Sequence, residues 1–168
     1  MNLLKLFIAV VIFGSMAAPA SSGTISFTGR IINGTCSATA APTTLALDEV
    51  NVSQLASDGA AAGEKPFKIN LTNCGLSSAT PKVKVKFDNL GANNLLTNAS
   101  GTGKATNVGI GMYEDDGTTQ ITKTGFSKLL NVGLNQADEF KFKAKYVATG
   151  AATIGTVQAT TTFTLHYE

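Results

Sequence analysis

The chain has 168 residues, 13 Lys and Arg against 11 Asp and Glu, one His, two Cys and no Trp. That length suits one domain. The near-balanced charge, only 14% of all residues, excludes a basic surface built for nucleic acid.

Residues 1–20, "MNLLKLFIAVVIFGSMAAPA", place Lys5 ahead of an apolar run from Leu6 to Phe13, followed by small residues. Ala18 and Ala20 stand at the −3 and −1 spacing of a signal-peptidase site, with Ser15 and Ala17 as an alternative three residues earlier. The apolar run is shorter than the roughly 20 residues needed to span a membrane. The expectation is a removed signal peptide (1–20) and a mature chain beginning near Ser21.

The next stretch, "GTISFTGRI", alternates as a β-strand, with Gly23, Ile25, Phe27, Gly29 and Ile31 on one face and Thr24, Ser26, Thr28 and Arg30 on the other. Cys36 and Cys74 follow. In an exported chain an isolated pair reads most simply as one disulfide. A metal or redox pair would need close spacing or histidine partners, and neither is present.

Strand alternation then recurs. Leu45 and Leu47 share a face in "TTLALDEV". Phe67, Ile69 and Leu71 share one in "PFKINLTNC". Val83, Val85 and Phe87 oppose Lys82, Lys84 and Lys86. Val108, Ile110 and Met112 alternate in "NVGIGMY". Phe140, Phe142, Ala144 and Tyr146 oppose Lys141, Lys143 and Lys145, and the last run alternates from Val157 to Tyr167. Pro42, Pro66, Pro81 and paired turn residues such as Asp116-Gly117 separate the runs. About seven strands with one buried face each predict an antiparallel β-sandwich. "LASDGAAAGE" (55–64) reads as a short helical turn or a loop. The lysine rows have strict strand parity, so they read as solvated faces that also discourage edge-to-edge aggregation.

Little here reads as catalysis. His166 is the third residue from the end of the sequence, on the polar face of the last run, which argues against a nucleophile–His–acid site. "EDDG" (114–117) lacks the ligand spacing of a calcium loop and reads as a hairpin turn. Four Asn-X-Ser/Thr triplets, at Asn33, Asn51, Asn70 and Asn98, carry no specific signal in so Asn- and Thr-rich a chain. No cofactor is expected.

Four segments resemble the major-subunit family of type 1 fimbriae, the pilins of the chaperone–usher pathway: "GTISFTGRIINGTCS" (23–37), "INLTNC" (69–74), "ATNVGIGMYEDDGT" (105–118) and "YVATGAATIGTVQATTTFTLHYE" (146–168). The last is the most specific, with its aromatic–Ala–Thr–Gly–Ala stretch and penultimate Tyr167. The resemblance implies an immunoglobulin-like sandwich, residues 33–168, that lacks its final strand. It implies that residues 21–32 are a donor strand given to a neighbouring subunit, a form of β-strand addition. Gly23, Ile25, Phe27, Gly29 and Ile31 would be the donated face. Phe163, Leu165, Tyr167 and Glu168 would form the acceptor groove wall and chaperone-docking strand, and Cys36–Cys74 would match the family disulfide. Implied partners are other pilin subunits, a periplasmic chaperone and an outer-membrane usher, with assembly at the surface of a Gram-negative bacterium. The competing expectations are a minor adaptor or tip subunit, and a self-contained secreted sandwich that binds through its loops.

Overall fold

The computed structural model describes residues 36–74, 82–133 and 137–168. They hold eight strands: β1 (Ser37–Ala41), β2 (Ala61–Thr72), β3 (Lys82–Phe87), β4 (Leu95–Thr97), β5 (Val108–Glu114), β6 (Leu130–Asn131), β7 (Asp138–Ala148) and β8 (Phe163–Tyr167). A five-stranded sheet has the order β1-β2-β7-β5-β4, and a three-stranded sheet the order β6-β3-β8. Every ladder between these strands is antiparallel. Helical structure among the described residues is confined to 3-10 turns at Val52–Leu55 and Ala92–Asn94.

The core follows the period-2 pattern. Ile69, Leu71, Met112, Phe140 and Phe142 from the larger sheet meet Val83, Val85 and Phe87 from the smaller one. Phe142 is the centre of an aromatic group: its ring lies 5.4 Å from Phe67 and 6.0 Å from Phe140 in stacked geometry, and 5.1 Å from Phe87 edge-on. The lysines between these residues point outward into ion pairs. Lys143 and Lys145 share Glu64, and Lys68 and Lys141 share Glu139. Exposed pairs of this kind contribute little each and leave the buried face to do the stabilising.

Cys36 and Cys74 form the expected disulfide. It joins the residue before β1 to Cys74, two residues beyond the end of β2, next to the pair in which Ser37 faces Thr72. The 38-residue separation makes the constraint worth about 4 kcal/mol in the chain-entropy description.

Two expectations about local structure change. Residues 61–64 are not loop but the start of β2. The pairing of Ala62 with Tyr146 and of Lys65 with Ala144 leaves one extra residue in β2, a β-bulge. Gly63 supplies it at φ +68°, where a Cβ would come within 2.9 Å of Tyr146 and Val50; glycine alone meets both demands. The runs at 43–50 and 157–162 alternate as expected but join no ladder among the described residues. Conversely β1, β4 and β6 are strands that periodicity does not announce.

"EDDG" is a turn, as expected. Gly117 N donates to Glu114 O at 2.9 Å, and the Asp116 carboxylate accepts from the backbone N–H of Thr119 and Thr118 at 2.7 and 2.8 Å. Those backbone bonds come first in holding the Asp116 carboxyl well below the usual carboxylate range, with the Thr119 hydroxyl and Lys128 adding to them. A carboxyl depressed by folding stabilises above its unfolded pKa, near 4, and that stability is lost as pH falls toward the folded value. Asp116→Ala is therefore expected to lower the melting temperature at pH 7, and the gap to the parent should narrow as pH drops through the acid range. A gap that stays constant with pH would contradict this account of the turn.

Candidate functional site

Among the described residues the sandwich is not closed on one side. A groove of about 720 Å³ opens between the chain at 42–47 and the chain at 157–163. Its floor is core: Phe67 and Ile69 of β2, Phe87 of β3, Ile110 and Met112 of β5, Tyr146 of β7. Phe67, Ile110 and Tyr146 are only half-buried, because nothing among the described residues covers them there.

The rims are extended segments that present apolar side chains to the gap. Leu45 and Leu47 are half-buried while Ala46 and Asp48 are exposed; opposite, Val157, Ala159, Thr161 and Phe163 are half-buried while Gln158, Thr160 and Thr162 are exposed. Among the described residues no hydrogen bond joins the backbone of 43–50 to another segment. The second rim runs on into β8, which pairs with β3 along one edge and with no described strand along the other.

The structure places the site residues named from the sequence as follows. Phe163 lines the groove, 6.4 Å from the Phe87 ring. Leu165 lies opposite Val85 and Tyr167 opposite Val83 in the β3–β8 ladder. The Tyr167 hydroxyl accepts from Cys36 N–H at 3.0 Å, which ties the end of β8 to the disulfide. Glu168 exchanges backbone hydrogen bonds with Lys82, and its side chain pairs with Lys84, which holds its carboxyl below the usual carboxylate range. Gly23, Ile25, Phe27, Gly29 and Ile31 lie outside the described residues.

Sequence reasoning missed the groups that hold the second rim. Asp88 N–H donates to Thr162 O at 2.9 Å, and Asn98 Oδ1 accepts from Gln158 N–H at 2.7 Å. Neither has a sequence signal, since Asn98 sits in a triplet that reads as chance. His166 is on the outer face of β8, edge-on to the exposed Phe126 ring at 4.8 Å. Among the described residues no group of three His, Cys, Asp or Glu is arranged to hold a metal, and no helix is long and apolar enough to cross a membrane.

Among the described residues, an apolar groove beside the unpaired edge of β8 narrows the possibilities, and comparison with known proteins decides among them. The family model for fimbrial protein matches residues 25–168. This chain belongs to the fimbrial protein family. It is 32% identical to the A chain of type-1 fimbrial protein from Escherichia coli K12, over 90% of this chain and 87% of that one. It is equally 32% identical to the laminin-binding fimbrial subunit ElfA of Escherichia coli O157:H7, over 99% and 98%. In fold it matches the P pilus rod subunit PapA with a TM-score of 0.62 at 18% identity, over 79% of this chain and 99% of that one. The sandwich is thus the immunoglobulin-like fold of chaperone–usher pilins, and this fimbrial protein is a structural pilus subunit. Its family builds polymeric pili on the surface of Gram-negative bacteria.

Proposed function

We propose that this fimbrial subunit polymerises head to tail by donor-strand exchange, residues 21–32 of each copy filling the groove of the next. The observation that carries the reading is the groove itself: Phe67, Ile110 and Tyr146 half-buried, with no described residue covering them, beside the unpaired edge of β8. An alternating strand relieves both at once. Its apolar face covers Phe67, Ile110 and Tyr146, and its backbone completes the ladder on β8. In residues 21–32, Gly23, Ile25, Phe27, Gly29 and Ile31 have that parity, with Ile25 and Phe27 as the main anchors. Each large side chain buried contributes about 1.5–3 kcal/mol. Donor and groove on one chain make a heterologous contact that does not close on itself, which generates a filament.

In this reading residues 1–20 direct export and are removed after Ala20, and residues 33–168 form the pilin domain. A periplasmic chaperone occupies the groove and the β8 edge, with Glu168 anchoring its docking. The outer-membrane usher then replaces the chaperone by the next subunit's extension. The fibre is a surface adhesive structure.

The test uses the chain without residues 21–32 and a synthetic peptide of that segment. A saturable rise in the unfolding midpoint is expected. Peptide at 100 times its Kd adds about 2.7 kcal/mol, a shift on the order of 10 °C for a domain of this size. A stable monomer indifferent to the peptide would instead make the chain a self-contained sandwich.

A further inference from the structure

The second rim of the groove keeps one parity along its whole length. Glu168 and Lys82 exchange backbone hydrogen bonds at 2.9 and 3.4 Å, and Asp88 N–H donates to Thr162 O. Antiparallel ladders alternate bonded and non-bonded pairs, so the even-numbered residues of β8 direct their N–H and C=O toward β3. β3 ends at Phe87. Beyond it, the same even-numbered side of the chain is held by a different partner. Asn98 Oδ1 accepts from Gln158 N–H at 2.7 Å, and Ala99 N–H donates to Gln158 O at 2.9 Å. Asn98 Nδ2 donates to Thr156 O at 3.2 Å and to Ala105 O at 2.7 Å, and Ala105 N–H donates to Thr156 O at 3.0 Å. The fit is close: a Cβ on Gly155 would lie 2.4 Å from Ala105 N.

With positions 156, 158, 162 and 168 all bonded on one side, extended geometry turns the N–H and C=O of Val157, Ala159, Thr161, Phe163, Leu165 and Tyr167 to the other. No hydrogen bond joins the backbone of Val157, Ala159 or Thr161 to a described residue. Their side chains face the groove in the same alternation, with no slip between 157 and 165.

We propose that Asn98 is a positioning residue that stands in for β3 where β3 ends, extending the acceptor edge from the laddered residues of β8 back to Val157. The proposal rests on the donor-strand reading above and says how far along the rim the incoming strand is hydrogen-bonded. Asn98 satisfies the rim on its outer side, so the donor meets a preset row of backbone groups rather than a segment it must first order. Without Asn98 the Gln158 N–H loses its acceptor, and the rim keeps only its backbone bonds to Ala99, Gly103 and Ala105, too few to hold Val157 and Ala159 in register for the donor.

Amide hydrogen exchange, resolved by residue, on full-length monomer and on assembled fibre tests this. In the parent protein, assembly is expected to slow exchange at Val157, Ala159 and Thr161 by at least about tenfold, alongside Leu165 and Tyr167. In Asn98→Leu fibres the slowing at Leu165 and Tyr167 should persist while that at Val157 and Ala159 is lost. Parent fibres whose protection stops at Phe163 would overturn the role of Asn98, and so would Asn98→Leu fibres still protected at Val157 and Ala159. The parent measurement decides how far the donor is bonded, and Asn98→Ala tests the role of Asn98 by the same two outcomes where the leucine variant does not fold. If Leu165 and Tyr167 show no slowing on assembly, donor-strand pairing on β8 is itself wrong, a result distinct from the other two.

Discussion

Phe27→Asp is expected to stop fibre growth while the subunit still folds and still forms its disulfide. Under the proposed assembly, Phe27 enters the groove of another copy, between Leu45 and Leu47 on one rim and Val157, Ala159 and Phe163 on the other. The substitution removes one large apolar burial, about 1.5–3 kcal/mol, and puts a carboxylate against an apolar floor, where an unpaired charge costs several kcal/mol more. A loss of at least about 4 kcal/mol weakens the contact close to a thousandfold. Parity supplies the control. Thr28 lies on the other face of the extension, so Thr28→Asp should assemble nearly as the parent does. The measurement is fibre length and yield by electron microscopy, with monomer folding followed by circular dichroism. Normal fibres from Phe27→Asp, or equal defects from both substitutions, would remove the alternating donor from the account.

Phe142→Ala is expected to be the most damaging single substitution in the described core. Phe142 is fully buried and touches the aromatic rings of both sheets, including Phe87 across the sandwich. Truncation leaves a cavity bounded by stacked rings that cannot all move into it, a cost of about 3–5 kcal/mol against a total stability of about 5–15. Phe67, which leans on Phe142, also floors the groove, so the variant should lose donor affinity as well as stability. Phe126 is the contrast: it is 39% exposed on the outer face, where its ring contacts among the described residues are with His166 and Lys84, and its truncation should cost about 1 kcal/mol. Urea unfolding of the two variants separates the cases. A Phe142→Ala loss under about 1 kcal/mol would mean the aromatic group does not organise the core.

Period-2 alternation located the strands whose inner faces are large and whose outer faces are charged. Val83, Val85 and Phe87 against three lysines, and Phe140 and Phe142 against three more, read correctly because each side chain's fate is set by local parity. The misses have physical causes. β1 reads "SATAA" and has no large side chain to reveal a face. β4 reads "LLT", and both its leucines are buried, so there is no alternation to find. β6 has two residues. The opposite error, expecting ladders at 43–50 and 157–162, arises because side-chain parity belongs to one chain whereas a ladder needs two. "AAGE" at 61–64 joined β2 only because Tyr146 and Val147 of β7 were there to pair with it.

By itself, then, the sequence determined the all-β class, the inward faces of the long strands, the cysteine pair and the fimbrial family. These are carried by local alternation or by motifs contiguous along the chain. The resemblance implied a groove and one of its walls; its floor and its other rim come from contacts far apart in the chain. The groove exists because two rims more than a hundred residues apart, one around Leu45 and one around Ala159, lie on opposite sides of a gap floored by the half-buried Phe67, Ile110 and Tyr146. The holding groups, Asp88 and Asn98, are bound to the second rim by hydrogen bonds that span 58 to 74 residues of sequence, and no local pattern encodes a contact of that range.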